Sequence, residues 1–382
     1  MLSPISVDFS LPTIPAVARY FGSPVSEVQF SLSALVFGIA VGQLLYGPLS
    51  DRFGRKPVIV AGAAFYVCAS LACASAPSVD SLLGLRFLQG CFACSGLIVA
   101  RAVIRDLFDG AAGARLFAMM MGIHGIMPTI GPGVGGWLTQ TFGWQAPFYG
   151  MAGFGAFTAL AMLFALPETA RERQPDAIHP VRMLRSYREI LRDGTFRSHA
   201  TCACCMYGAL LAYFAGAPVG LIGYLGLTPA VFGVAMAMPM LSYMISQMVV
   251  ARFAHRLGIG RLIRTGAVLA SCAGIGMLAL VLIGTITIYS LIGPVMLVLV
   301  ALSLITPGTT AGAMSPFPHM AGATSSLLGF IQFLAGAAAT AAVGALNDGT
   351  PLPMAAVICA CTVGALISWW VLVRPLVRRA GA

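Results

Sequence analysis

Twelve runs of about twenty residues pass through this chain with scarcely a charge among them, and that pattern decides what it can fold into. They lie near residues 1–20, 27–49, 57–77, 81–104, 116–140 and 145–166, then near 198–223, 229–251, 261–283, 286–308, 320–345 and 352–373. Each is the length of helix that crosses hydrocarbon, where helices satisfy their own backbone groups. Charged residues make up 9% of the chain and apolar residues 59%, with a mean hydropathy of +0.91. A soluble domain carries about 25% charge, so a soluble enzyme is excluded, and disorder fails for want of polar sequence. The expected fold is an all-α polytopic membrane protein: one six-helix bundle over 1–166, a linker over 167–197 and a second bundle over 198–382.

The net charge of +10 would suggest nucleic acid in a soluble chain. Here the positions of the cations matter more than their sum. All but Arg19 and Arg86 of the 22 basic residues fall in the even-numbered loops, the linker and the C-terminus. Basic loops stay in the cytoplasm, so both termini are expected there, and no nucleic-acid partner is. Met1 opens inside apolar sequence only seven residues before Asp8, so the first helix is expected to be short at its start. All ten cysteines lie within apolar runs, including the Cys91/Cys94 pair and the Cys202, Cys204 and Cys205 cluster. Without flanking polar ligands they read as small packing residues, not as a metal or redox centre.

A faint internal repeat supports two related bundles, with Asp51-Arg52-Phe53-Gly54 matched by His255-Arg256-Leu257-Gly258 between the second and third spans of each half. Such a pairing implies a substrate cavity between the bundles. In the linker, Val181, Leu184, Ile190 and Leu191 alternate with Arg182, Arg185, Arg188 and Arg192. That spacing fits either an amphipathic helix on the inner leaflet, its arginines toward anionic lipid, or a solvated connector.

The loop Gly47-Pro48-Leu49-Ser50-Asp51-Arg52-Phe53-Gly54-Arg55-Lys56-Pro57 sets one carboxylate and three cations in a tight turn. Gly47 permits close helix approach and Gly54 a left-handed turn. Asp51 is expected to cap the helix N-terminus of a neighbouring half-bundle. This loop resembles the G-x-L-x-D-R-x-G-R-[RK] signature of the major facilitator superfamily. Arg86-Phe87-Leu88-Gln89-Gly90 is similar to that family's R-x-x-Q-G element, and Pro128-Thr129-Ile130-Gly131-Pro132-Gly133-Val134-Gly135-Gly136 resembles its antiporter motif. Asp8-Phe9-Ser10-Leu11-Pro12-Thr13-Ile14-Pro15 resembles the D-x-x-L-P-x-x-P opening of twelve-helix drug/proton antiporters, and the run from Phe317 to Phe330 looks like the bicyclomycin/chloramphenicol resistance branch. The resemblance implies a proton-coupled multidrug exporter in a bacterial inner membrane, with a fifth span that restricts leak.

The residues themselves carry much of that reading. Pro128 and Pro132 remove helix donors and bend the fifth span, while Gly131, Gly133, Gly135 and Gly136 bare one face for close packing. Charge in hydrocarbon costs about 2.5–3.5 kcal/mol on insertion scales. Asp8 is the one acid well inside a span, and a carboxylate there can take up and release a proton. Its expected partner is Arg86 in the fourth span, as either a proton-coupling pair or a static clamp. His124 is either a second titrating group or a packing histidine. Phe9, Gln89, Tyr207, Tyr213, Phe214 and Gln332 are cavity candidates, with helix bridging or lipid contact as the alternatives.

No phosphate-binding loop, selectivity filter, metal cluster or nucleophile elbow is found. The expectation is therefore a monomeric carrier without cofactor or enzymatic activity, driven by the proton gradient. A drug exporter competes with an exporter or importer of a native small metabolite. A non-transporting scaffold would not need Asp8, Arg86 and the Asp51 turn together.

Overall fold

The structure is a computed structural model that describes residues 2–108, 110–170 and 180–374. Among these residues, ten helices are long and apolar enough to cross a membrane. The chain divides into two compact units, Met1–Ser186 and Tyr187–Ala382.

In the first unit the leading apolar run is not one helix. It consists of α1 (Leu2–Asp8), a tight 3-10 turn (Leu11–Thr13) and α2 (Ile14–Phe21), which corrects the expectation of a continuous first span. Pro12 and Pro15 withhold two backbone donors, and serine and threonine hydroxyls cover carbonyls along the broken stretch. Ser6 Oγ donates to the Leu2 carbonyl, Ser10 Oγ to those of Ser6 and Val7, and Thr13 Oγ1 to that of Ser10. Five long elements follow: α3 (Val25–Phe53), α4 (Arg55–Ala74), α5 (Val79–Ala93) continued by α6 (Ser95–Leu107), α7 (Gly110–Phe142) and α8 (Ala146–Ala165). Pairing is close where side chains vanish. A Cβ on Gly38 would fall on the Phe87 carbonyl, and one on Gly90 would fall on the Leu35 carbonyl, so α3 and α5 meet backbone to backbone.

In the second unit, α9 (Pro180–Arg192), which begins in the first, leads into α10 (Gly194–Ala217), extended by a π-helical turn (Pro218–Tyr224). After it come α11 (Pro229–Leu257), α12 (Ile259–Leu282), α13 (Ile288–Met314), α14 (Ala321–Ala345) and α15 (Leu352–Ser368). Here α10 packs on α14 and α15, and α13 on α11 and α12. Ser271 Oγ on α12 reaches the Thr362 carbonyl on α15 at 2.9 Å. Cysteines serve as packing residues at such crossings, with Cys94 filling the space beside Gly42 and Cys361 that beside Gly208. The repeat seen in sequence has a local counterpart in each unit. Gly54 between α3 and α4 has φ +99°, and Gly258 between α11 and α12 has φ +76°, backbone that L side chains rarely adopt.

The backbone contact between α3 and α5 sets a test. Gly90→Val is expected to lower the unfolding temperature of the detergent-purified protein, at a cost of about 1–3 kcal/mol from overpacking. Gly84→Ala, which meets open space, should leave it unchanged.

Candidate functional site

Arg86 stands on α5 with 1% of its surface exposed, in the interior of the first unit. Its guanidinium finds its partners within the protein. Nη1 donates to Gln89 Oε1 at 2.7 Å, Nη2 donates to the Ser6 carbonyl at 3.1 Å and to Ser10 Oγ, and the cation lies 5.6 Å from the Phe148 ring centre. Arg86 and Gln89 meet because residues three apart on a helix are neighbours. Ser6 and Ser10, four apart, likewise face the same way. Gln89 in turn donates to Ser70 Oγ at 2.8 Å and contacts Met151 Sδ, while Ser6 Oγ and Tyr66 Oη share a hydrogen bond of 2.7 Å. The network therefore joins the first broken segment, α4, α5 and α8 around one cation.

Asp8 is not part of it. Among the described residues the ion pairs are Arg55–Asp51 and Arg55–Asp106, and neither Asp8 oxygen has a hydrogen-bond partner. The expected Asp8–Arg86 pair is thus absent, for a geometric reason. Two steps along a helix turn the side chain by about 200°, so Asp8 points away from the face that Ser6 and Ser10 offer to Arg86. It is 1% exposed and lies against α7, where a Cβ on Gly131 would come within 2.6 Å of its own Cβ. One turn further along α7, Gly135 receives the backbone of Phe9, whose ring is next to Gly150 on α8. The bare face of the fifth span is therefore where the break after Asp8 docks. Pro128 and Pro132 lie inside the same helix, and Gly136 is buried in it. The His124 side chain lies outside the described residues.

A second constellation forms at the turn between α3 and α4. Arg55 opens α4 and is buried, with Nη1 donating to Asp51 and to Ser50 Oγ (2.8 Å) and Nε to Asp106 Oδ2 (2.9 Å) at the end of α6. Glu168, just past α8, accepts from the backbone N–H of Arg55 at 2.9 Å and from those of Thr169 and Ala170 at 3.0 Å. A Cβ on Gly54 would collide with its carboxylate, so only glycine leaves room for this cap. Within this unit Asp51 pairs with Arg55, and the N-terminus of α4 is capped by Glu168, a residue sequence reading did not single out. Burial pushes the Glu168 carboxyl up, but the backbone N–H groups of Ala170, Arg55, Lys56 and Thr169 outweigh it and hold it below its ordinary value. Arg52 is exposed with its guanidinium over Phe53 at 5.3 Å, Lys56 is half-buried, and the Gly47 carbonyl accepts from Ser50 Oγ.

The remaining candidates belong to the second unit. Tyr207 is half-buried, edge-on to Phe333 with ring centres 5.1 Å apart, and Gln332 is half-buried beside it in sequence. Tyr213 and Phe214 on α10 are both buried, with ring centres 5.9 Å apart. Sequence reasoning also missed Ser6, Ser10, Tyr66 and Ser70. Their signal was a hydroxyl recurring four residues on in two apolar spans.

Comparison with known proteins sharpens the setting. The sequence model described as Major Facilitator Superfamily matches residues 1–340. The chain is 30% identical to the multidrug resistance protein MdtL of Klebsiella pneumoniae, over 99% of this chain and 95% of that one. It is 25% identical to a bicyclomycin resistance protein homolog of Haemophilus influenzae, over 97% and 93%. Among solved structures, a D-xylose-proton symporter superposes with a TM-score of 0.80 at 12% identity, covering 97% of this chain and 95% of that one, a likeness of fold.

Two outcomes test this geometry. Gln89→Leu removes an acceptor from a buried cation and is expected to destabilise the purified protein by about 1.5–3 kcal/mol, read as a lower melting temperature. Glu168→Gln is expected to cost about 1 kcal/mol through the weakened cap. Because the folded Glu168 value lies below the unfolded one near 4.3, its contribution is complete above that pH and is lost as pH falls through the folded value. Melting curves taken downward from neutral pH should therefore converge for the two proteins in acid.

Proposed function

Since the chain belongs to the major facilitator superfamily, we propose that it is a multidrug efflux transporter that exchanges small lipophilic antibiotics for protons. It is a multi-pass membrane protein of a transporter family. Kinship with proteins named for multidrug and bicyclomycin resistance supports the drug side of this reading. The location we infer is a bacterial inner membrane, as a monomer with both termini in the cytoplasm, from the bias of its basic loops.

The observation that carries the proton side is Asp8, sealed from solvent, without a counter-ion among the described residues and set against Gly131. An uncompensated buried charge is costly, and a proton removes that cost. Loss of the proton would place a charge against the bare face of α7, so that helix and the break after Asp8 would have to move together. Substrate arriving from the cytoplasm or inner leaflet displaces the proton; reloading from outside resets the carrier. Arg86 keeps a fixed positive field nearby and, through Ser6 and Ser10, anchors the broken first segment while Asp8 changes state. The turn built from Gly47, Asp51, Arg52, Gly54, Arg55 and Lys56 holds the cytoplasmic ends of α3, α4 and α6 in register during that cycle. Moving one charge through the membrane potential supplies about 2.3 kcal/mol per 100 mV.

Everted vesicles energised with a pH gradient provide the test. Chloramphenicol-type drugs should collapse the gradient with the native chain and fail to do so with Asp8→Asn, which keeps the size of the side chain beside Gly131. Drug-driven collapse that persists in Asp8→Asn would remove Asp8 as the carrier. A native chain indifferent to every drug tried would leave a carrier for a metabolite.

A further inference from the structure

The connecting helix α9 serves no purpose in the transport cycle described above, yet its surface is not that of a solvated connector. A single residue, Asp193, joins it to α10, a helix long and apolar enough to cross the membrane. That joint is closed at both ends: the Asp193 N–H donates to the Ile190 carbonyl at 3.2 Å, and its carboxylate accepts from the Phe196 N–H at 2.7 Å. With no slack at the joint, α9 is held where α10 enters the bilayer. Ile190 is 0% exposed and Met183, two turns earlier on the same face, is half-buried, so this face is covered by the protein. Nearly a third of a turn round the helix from Ile190, Leu184 and Leu191 are 69% and 43% exposed, and Val181, about half a turn from Ile190, is 61% exposed. Arg185, Arg188 and Arg192 are exposed along the flank of that apolar strip, and Glu189 is the one acid on the helix.

We propose that α9 is an interfacial helix that binds the anionic phospholipid headgroups of the leaflet in which the chain sits. Aliphatic side chains bared beside guanidinium groups match the boundary between acyl chains and phosphates. Leu184 and Leu191 enter the apolar side, and the arginines extend to the phosphates above it. A second copy of the chain would bring the same positive charge to this face. A soluble acidic partner would satisfy the arginines but would have to reach a strip already at the membrane surface. The inference rests on the membrane-spanning character of α10 and not on the identity of the transported molecule.

Hydrogen exchange of the full chain in nanodiscs tests it. The segment 180–193 is followed in phosphatidylcholine, and again with a third of that lipid replaced by phosphatidylglycerol. Anionic lipid should slow exchange by about fivefold or more, the factor that one arginine near such a surface is worth, and high salt should reverse the slowing. The triple variant R185Q/R188Q/R192Q should lose this dependence while segments of α12 and α13 exchange as before, which shows that it is folded. Leu184→Ser with Leu191→Ser should reduce protection in both lipids with the arginines intact. Equal exchange in the two lipids, dependence that survives the triple variant, or protection that arises only on adding a soluble extract would each overturn the proposal.

Discussion

A buried guanidinium is the constraint on which the first unit depends. Hydrocarbon offers no water to satisfy a cation, so everything that Arg86 needs must come from neighbouring helices. The supply is a carbonyl and a hydroxyl from a broken segment, an amide from its own helix and the face of a phenyl ring. Two of the residues that accept from it are fixed by further contacts, Gln89 by Ser70 and Ser6 by Tyr66. The irregular start of the chain and the polar seam between α4, α5 and α8 are consequences of holding that one charge.

The same arrangement separates two roles that a simple ion pair would merge. Arg86 is satisfied by neutral groups, which leaves the Asp8 carboxylate free of it and exposed to a different neighbour, the glycine face of α7. In a direct pair, protonation of Asp8 would chiefly weaken a salt bridge. In the proposed cycle it would change the charge at a helix contact too tight for any side chain larger than hydrogen, so a change in protonation would be felt as a change in packing.

Much of this was legible in the residues. The apolar runs located the helices, the repeat placed Gly54 and Gly258 in matching turns, and the cost of charge in hydrocarbon singled out Asp8 and Arg86. Their mutual arrangement was not legible, because which face a residue presents depends on the rotation of a short helix that ends at Asp8. Glu168 escaped notice because the N–H it caps at Arg55 lies 113 residues away in sequence, and nothing local marks such a pairing. Tyr213 and Phe214 were weighed as facing a cavity or lipid, and their burial on α10 was not legible because aromatic content alone does not say what covers a ring.

The chain between α8 and α10 is fastened at each end by the same chemistry. Glu168 closes the N-terminus of α4, and Asp193 closes that of α10. Each clasp is made by a carboxylate a few residues from the helix that precedes it. A polypeptide severed between residues 170 and 180 would therefore keep both clasps, one on each fragment. Two pieces of the chain, one ending at Ala170 and one beginning at Pro180, would each carry its own helix end already closed.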